Sequence, residues 1–106
     1  MISNAEDLHV FSRALCHGQL LKPTTFRAQL EGKPLEGTNA LYGEGVATGS
    51  GVCGHSGTIN GYSSDMYYFE KLNATLVINV NRLDRDNKSQ STAILGMVAK
   101  VMTSHL

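Results

Sequence analysis

Apolar residues recur at helical spacing near both ends of the chain and follow strand-like patterns between them. Ala5, Leu8, Phe11, Ala14 and Leu15 share one helical face. Ser3-Asn4-Ala5-Glu6 reads as a capping box, the Ser3 hydroxyl accepting from the Glu6 N–H while the Glu6 carboxylate reaches back. With Gly18 as a stop, the spacing predicts an amphipathic helix over 4–17. Pro23 suits a first helical turn and predicts a short helix over 23–30, ending before Gly32. Towards the other end Ile94, Met97, Val98 and Val101, with Met102 adjoining, form a core-packing stripe. Asp86 or Asn87 is the expected cap of that last helix.

The texture between the helices excludes a further long one. Glycines stand at 32, 37, 43, 45, 49, 51, 54, 57 and 61. A short strand is expected over 41–47, a turn over 48–51, a second strand over 52–58 and a third over 62–69. The third carries residues suited to a pleated surface. Glu70-Lys71-Leu72-Asn73 makes the next turn, and 75–81 is a strand whose apolar, β-branched content suits a sheet centre. Strands joined by turns this short run antiparallel. The expected class is therefore α+β, an antiparallel sheet with helices packed on it.

At 106 residues the chain is one domain or part of one. With 42% hydrophobic and 17% charged residues it has the makings of a core and is not a disordered chain. Nine basic residues balance nine acidic ones, and no basic run occurs, which argues against a nucleic-acid partner. The run Leu76-Val77-Ile78 ends at Asn79, and no stretch reads as a membrane span or a signal peptide. Cys16 and Cys53 are too few for a disulfide framework and their spacing leaves pairing open. Two unpaired thiols, on a helix face and in a loop, are the simplest reading. Asn73-Ala74-Thr75 and Asn87-Lys88-Ser89 match the glycosylation sequon, a pattern short enough to recur by chance. His9, His17, His55 and His105 are dispersed without metal-ligand spacing, and neither a metal nor a cofactor is expected.

The chemistry concentrates in Gly54-His55-Ser56-Gly57-Thr58-Ile59-Asn60-Gly61. A histidine and a hydroxyl sit between glycines at the head of a strand, where a substrate can approach backbone N–H groups. Two competing motifs are weak. Gly49-Ser50-Gly51-Val52-Cys53-Gly54 fits G-x-G-x-x-G, but a strand-like segment follows it where a phosphate cradle needs a helix. Gly54-His55-Ser56-Gly57 approaches a nucleophile elbow, but Thr58 stands where G-x-S-x-G needs its last glycine. Asp84, Arg85 and Asp86 read as a solvated loop.

Several short motifs in order resemble the C-terminal part of the penicillin-recognising serine hydrolases: class C β-lactamases, D-Ala-D-Ala carboxypeptidases and family esterases. Met1-Ile2-Ser3-Asn4-Ala5-Glu6-Asp7-Leu8 is similar to the start of a family helix, and Leu20-Leu21-Lys22-Pro23 to the segment opening the next. Tyr42-Gly43-Glu44-Gly45-Val46 resembles the Y-G-x-G-W strand, with Val46 in place of the aromatic residue. His55-Ser56-Gly57 occupies the K-T-G or H-x-G position, followed by Gly61-Tyr62-Ser63-Ser64 where the family has G-F-x-S. Asn81 ends the following strand, as an asparagine often does there. The resemblance covers nearly the whole chain.

What the resemblance implies is an acyl-enzyme mechanism, with this segment forming one wall of the site. His55 would face the substrate as a cation or hydrogen-bond donor. Ser56 would bind the substrate's carboxylate or carbonyl region, Gly57 would allow close approach, and the Thr58 backbone N–H would be one of two oxyanion donors; Asn81 is carried over as a substrate-binding position. The family's S-x-x-K serine and lysine and its Y-x-N tyrosine have no counterpart here, so this chain alone is expected to be inactive. It reads as a partial domain over 1–106, a C-terminal segment whose partner is the missing N-terminal part, or another copy paired along the exposed edge of strand 75–81. The alternatives are a non-catalytic binding or structural module keeping this scaffold, or a complete small domain whose likeness misleads. Histidine instead of lysine at 55 leans towards carboxypeptidase-, peptidase- or esterase-like members over efficient class C β-lactamases. Family habit implies a periplasmic, envelope or secreted location.

Overall fold

The computed structural model describes residues 1–83 and 89–104. Helices α1 (Ala5–Cys16) and α2 (Pro23–Leu30) precede strands β1 (Lys33–Pro34), β2 (Leu41–Tyr42), β3 (Ala47–Gly49), β4 (Val52–Ile59), β5 (Tyr62–Phe69) and β6 (Ala74–Val80), and α3 (Gln90–Thr103) follows. The strands lie in sequence order in one sheet and every pair is antiparallel. Turn chemistry explains this meander. Ser50 and Gly51 both have positive φ, 52° and 75°, as a two-residue hairpin between β3 and β4 requires. Asn60-Gly61 joins β4 to β5, and a 3-10 turn (Glu70–Leu72) with left-handed Asn73 joins β5 to β6. The expected α+β class, an antiparallel sheet carrying helices, is the class observed.

Local details differ from the sequence reading. The α1 cap is one residue later than Ser3: Asn4 accepts from the Asp7 N–H at 2.9 Å and donates to the Asp7 carboxylate at 3.3 Å. The strand expected over 41–47 is two strands, because Gly43 donates to the Val46 carbonyl at 2.8 Å and Gly45 turns the chain at φ 72°. Strand β1 carried no pattern strong enough to foresee. Ser89 caps α3, accepting from the Thr92 N–H at 3.3 Å. Asp84, Arg85, Asp86, Asn87 and His105 lie outside the described residues. Cys16 and Cys53, read as unpaired thiols, are joined in a disulfide between α1 and β4 with Cα atoms 5.9 Å apart.

Strand alternation places the helices on opposite faces of the sheet. Cys53, with its cross-strand partner Tyr68, points to the α1 side, where the Tyr68 ring packs against His17 with the two planes tilted by 59°. Ser63 and Asp65 have the other parity and bond to Ser91 and Thr92 of α3. Both helices show an apolar arc wider than the sheet covers. On α1, Ser12 and Leu15 are buried, whereas Phe11 is 46% exposed. The apolar arc of α3 spans about 200° of its circumference. Ile94, Leu95, Val98 and Met102 are half-buried, but Met97 and Val101 are over 60% exposed. The predicted core stripe is thus only half a core stripe.

The surface is large for the mass. It measures 7512 Å², against about 5,800 Å² expected for a complete globular chain of this size. Leu15, Val46 and Phe69 are the apolar side chains that reach full burial among the described residues. β6, whose content suited a sheet centre, is the last strand among the described residues and pairs there with β5 alone. Its side chains are nonetheless half-buried between α1 and α3, apart from Asn79. Among the described residues β6 is thus covered on both faces and has no strand along one backbone edge, where N–H and C=O groups stand beside largely buried side chains.

Candidate functional site

The ledge over 55–58 is extended backbone inside β4. β5 pairs with the whole of β4, but β3 pairs only with Val52, Cys53 and Gly54. From His55 onward one edge of β4 is therefore free of any strand among the described residues. The hairpin fixes which groups face that edge. Ile59 and Tyr62 close a two-residue turn and form a hydrogen-bonded pair, so bonded pairs recur at His55 and Gly57. Ser56 and Thr58 alternate with them, and their N–H and C=O groups point outward along the free edge.

Its three glycines do different work. A Cβ on Gly54 would stand 2.0 Å from the Met66 carbonyl oxygen, so close strand packing demands glycine there. Gly61 holds φ at +81° in the hairpin turn. A Cβ on Gly57 would meet nothing within 4 Å. The space beside Gly57 is open, and nothing among the described residues requires its small size.

The side chains along the ledge are tied down. Tyr42 Oη lies 2.6 Å from His55 Nε2 with the rings tilted against one another, at the point where β3 has ended. Ser56 stands opposite Asp65, to which its hydroxyl donates, and lies 2.9 Å from the Tyr67 hydroxyl. Asp65 is 1% exposed. It also accepts from the Ser91 hydroxyl at 2.5 Å and the Thr92 hydroxyl at 3.0 Å, in the first turn of α3. Ser63, buried beside it, accepts from the Ser91 N–H at 3.2 Å and donates to the Arg82 carbonyl at 3.3 Å. Buried polar groups persist when their bonds are made, and here hydroxyls of β4 and α3 meet one carboxyl from two sides. Burial, with smaller contributions from Asp65 and Tyr42, pushes the Tyr67 phenol above its ordinary value of 10.0.

His55, Ser56, Gly57 and Thr58 are thus brought together as consecutive ledge residues. Asn81 is not beside them. It follows β6, whose Val80 pairs with Ser63, which in turn pairs with Thr58. Two strand spacings, about 10 Å, separate the rows of Val80 and Thr58. Asp65, Tyr67, Ser91, Thr92 and Tyr42 are neighbours of the candidate ledge that its motifs do not include. One signal was available: the Asn60-Gly61 hairpin fixes the pairing of Ser56 with Asp65, and alternation puts Ser63, Asp65 and Tyr67 on one face.

The weak motifs resolve cleanly. Residues 49–54 form a hairpin and a strand and open no helix, so they build no phosphate cradle. Ser56 lies within a strand and not on a strand-to-helix elbow. Two clefts of about 340 and 390 Å³ lie around Cys53 and Val52, at the other end of β4, and no residue of 55–58 is in their walls. Among the described residues, no three His, Cys, Asp or Glu side chains gather as metal ligands, and no helix is long and apolar enough to cross a membrane. Compared with protein-family models, curated proteins and solved structures, the chain matches none.

Proposed function

We propose that this chain is the C-terminal segment of a β-lactamase-like serine hydrolase and supplies one wall of its acyl-binding site. The observation that carries the reading is the His55-Ser56-Gly57-Thr58 ledge, extended along a free strand edge with the Thr58 N–H directed outward. When a serine oxygen attacks an ester or amide carbonyl, the carbonyl oxygen gathers negative charge. A fixed backbone N–H beside it stabilises that charge by about 3 kcal/mol. The open space at Gly57 lets a substrate lie close to that donor. The attacking serine, its base and the second oxyanion donor belong to polypeptide outside these residues. The bare edge of β6 and the excess surface are consistent with such polypeptide packing here, or with a second copy taking its place.

The alternative is a non-catalytic binding or structural module. One observation favours it: the Ser56 hydroxyl already bonds to Asp65 and Tyr67 inside the chain. Intact-mass analysis of the protein from its natural source, before and after exposure to a fluorophosphonate and to a penicillin, separates the two readings. The hydrolase reading expects a polypeptide heavier than 11.4 kDa that gains one covalent adduct on an upstream serine. A natural product of this mass that takes no adduct would overturn it.

A further inference from the structure

The hydrogen-bond inventory around Ser56 restricts what the ledge can hold. A serine hydroxyl has one proton to give and two lone pairs with which to accept. The proton of Ser56 goes to Asp65. With that proton committed to Asp65, the Tyr67 phenol is the donor across the 2.9 Å contact and takes one lone pair of Ser56. One lone pair remains on the hydroxyl of Ser56, a half-buried residue whose backbone N–H faces the free edge. Asp65 does not release Ser56 easily. It is 1% exposed and fixed by Ser91 and Thr92 from α3, so its bond to Ser56 belongs to the packing of that helix on the sheet.

Resting on the hydrolase reading, we propose that Asp65 is a positioning residue that sets the substrate class: it makes Ser56 a hydrogen-bond acceptor, so the ledge takes acyl substrates bearing a neutral N–H or O–H donor there and rejects those bearing a carboxylate. A carboxylate at this place would meet a hydroxyl with no proton to offer, and behind it a buried group of its own charge. Like charges placed together discriminate strongly against the wrong ligand. A primary amide or hydroxyl instead donates to the remaining lone pair. The substrates indicated are neutral esters and amides, and carboxylate-terminated peptides are disfavoured. This assigns Ser56 a role opposite to that of an anion-binding hydroxyl.

The test uses the natural-length protein and two thioesters with the same acyl group, one leaving group ending in a carboxylate and the other in its primary amide. We expect kcat/KM for the amide to exceed that for the carboxylate by about tenfold or more, most of it in KM. Asp65→Asn keeps the shape and an accepting oxygen, and should narrow the ratio to about threefold or less. A purely structural Asp65 would lower both rates together and leave their ratio unchanged. If Asp65→Asn does not fold, the wild-type ratio decides alone. Turnover with equal preference, or with the carboxylate preferred, overturns the assignment of Asp65 and leaves the hydrolase reading standing. No turnover of either thioester by folded protein overturns both.

Discussion

Among the described residues, the far half of β4 and the outer side of β6 both run with no strand beside them, and almost everything else about them differs. On β4, residues 55–59 are free along one edge, carry a histidine, two hydroxyls and a glycine, and have His55 and Ser56 held by hydrogen bonds from within the chain. On β6 the free edge runs the length of the strand, the side chains are mainly Leu, Val and Ile, and helices cover both faces. The first arrangement leaves polar backbone beside fixed polar groups and open space, which suits a ligand that comes and goes. The second leaves polar backbone beside buried apolar side chains, which suits a permanent strand. An unpaired edge alone does not mark a site. The chemistry of the side chains along it separates a ledge from a seam.

The comparison can be broken at its anchors first. The Cys16–Cys53 bridge pins β4 to α1 and closes a loop with a separation of 37 residues. Its loss should cost roughly 4 kcal/mol. Chemical denaturation with and without reductant, checked against Cys16→Ser with Cys53→Ser, measures this. A loss under about 1 kcal/mol would show that the bridge does not hold the β4 side of the sheet.

Thr58→Pro sharpens the functional half. Its N–H faces the free edge, so proline removes that donor without taking a bond from the β4–β5 ladder. In the natural-length protein kcat/KM should fall by about 10²–10³ while the melting temperature changes little. A comparable drop in stability with full activity would mean that the N–H serves the fold.

The glycines offer an internal control. Gly54→Ala forces a Cβ against the Met66 carbonyl and should cost about 1–3 kcal/mol or more. Gly57→Ala enters open space and should stay within about 0.5 kcal/mol of wild type, while raising KM. Equal destabilisation by the two would erase the distinction between packed and open glycine.

The smallest effect on folding is expected at the seam. Alternation from the β5–β6 register turns the Thr75, Val77 and Asn79 N–H groups to the bare edge. Asn79→Pro therefore removes an outward donor at an exposed position, at a cost under about 1 kcal/mol. Sedimentation of the 106-residue chain should show self-association that this change weakens about tenfold. A wild-type chain that stays monomeric at high concentration would show that β6 recruits no second copy.

Local pattern carried much of the fold. Pro23, Gly18, the Asn60-Gly61 turn and Glu70-Lys71-Leu72-Asn73 punctuate the chain where helices and hairpins begin and end, and the antiparallel order follows. Patterns judged on one helix alone misled. Met97 and Val101 are apolar and helically spaced, yet their exposure depends on how much of α3 the sheet covers, which no local window contains. The Cys16–Cys53 bond escaped for the same reason, since it depends on how α1 docks. At the site, His55 through Thr58 were legible because glycines frame them. Asp65 was not, because a carboxyl in a strand looks solvent-facing until Ser91 and Thr92, some 26 residues further on, turn out to lie against it.

The most direct measurement is a structure of the natural-length protein with a boronate or phosphonate transition-state analogue attached to the serine that the proposed hydrolase activity requires. The account predicts the analogue's oxyanion within about 2.7–3.1 Å of the Thr58 backbone nitrogen, against the free edge of β4. An oxyanion held elsewhere, or a protein strand paired with Thr58 in that complex, would contradict it.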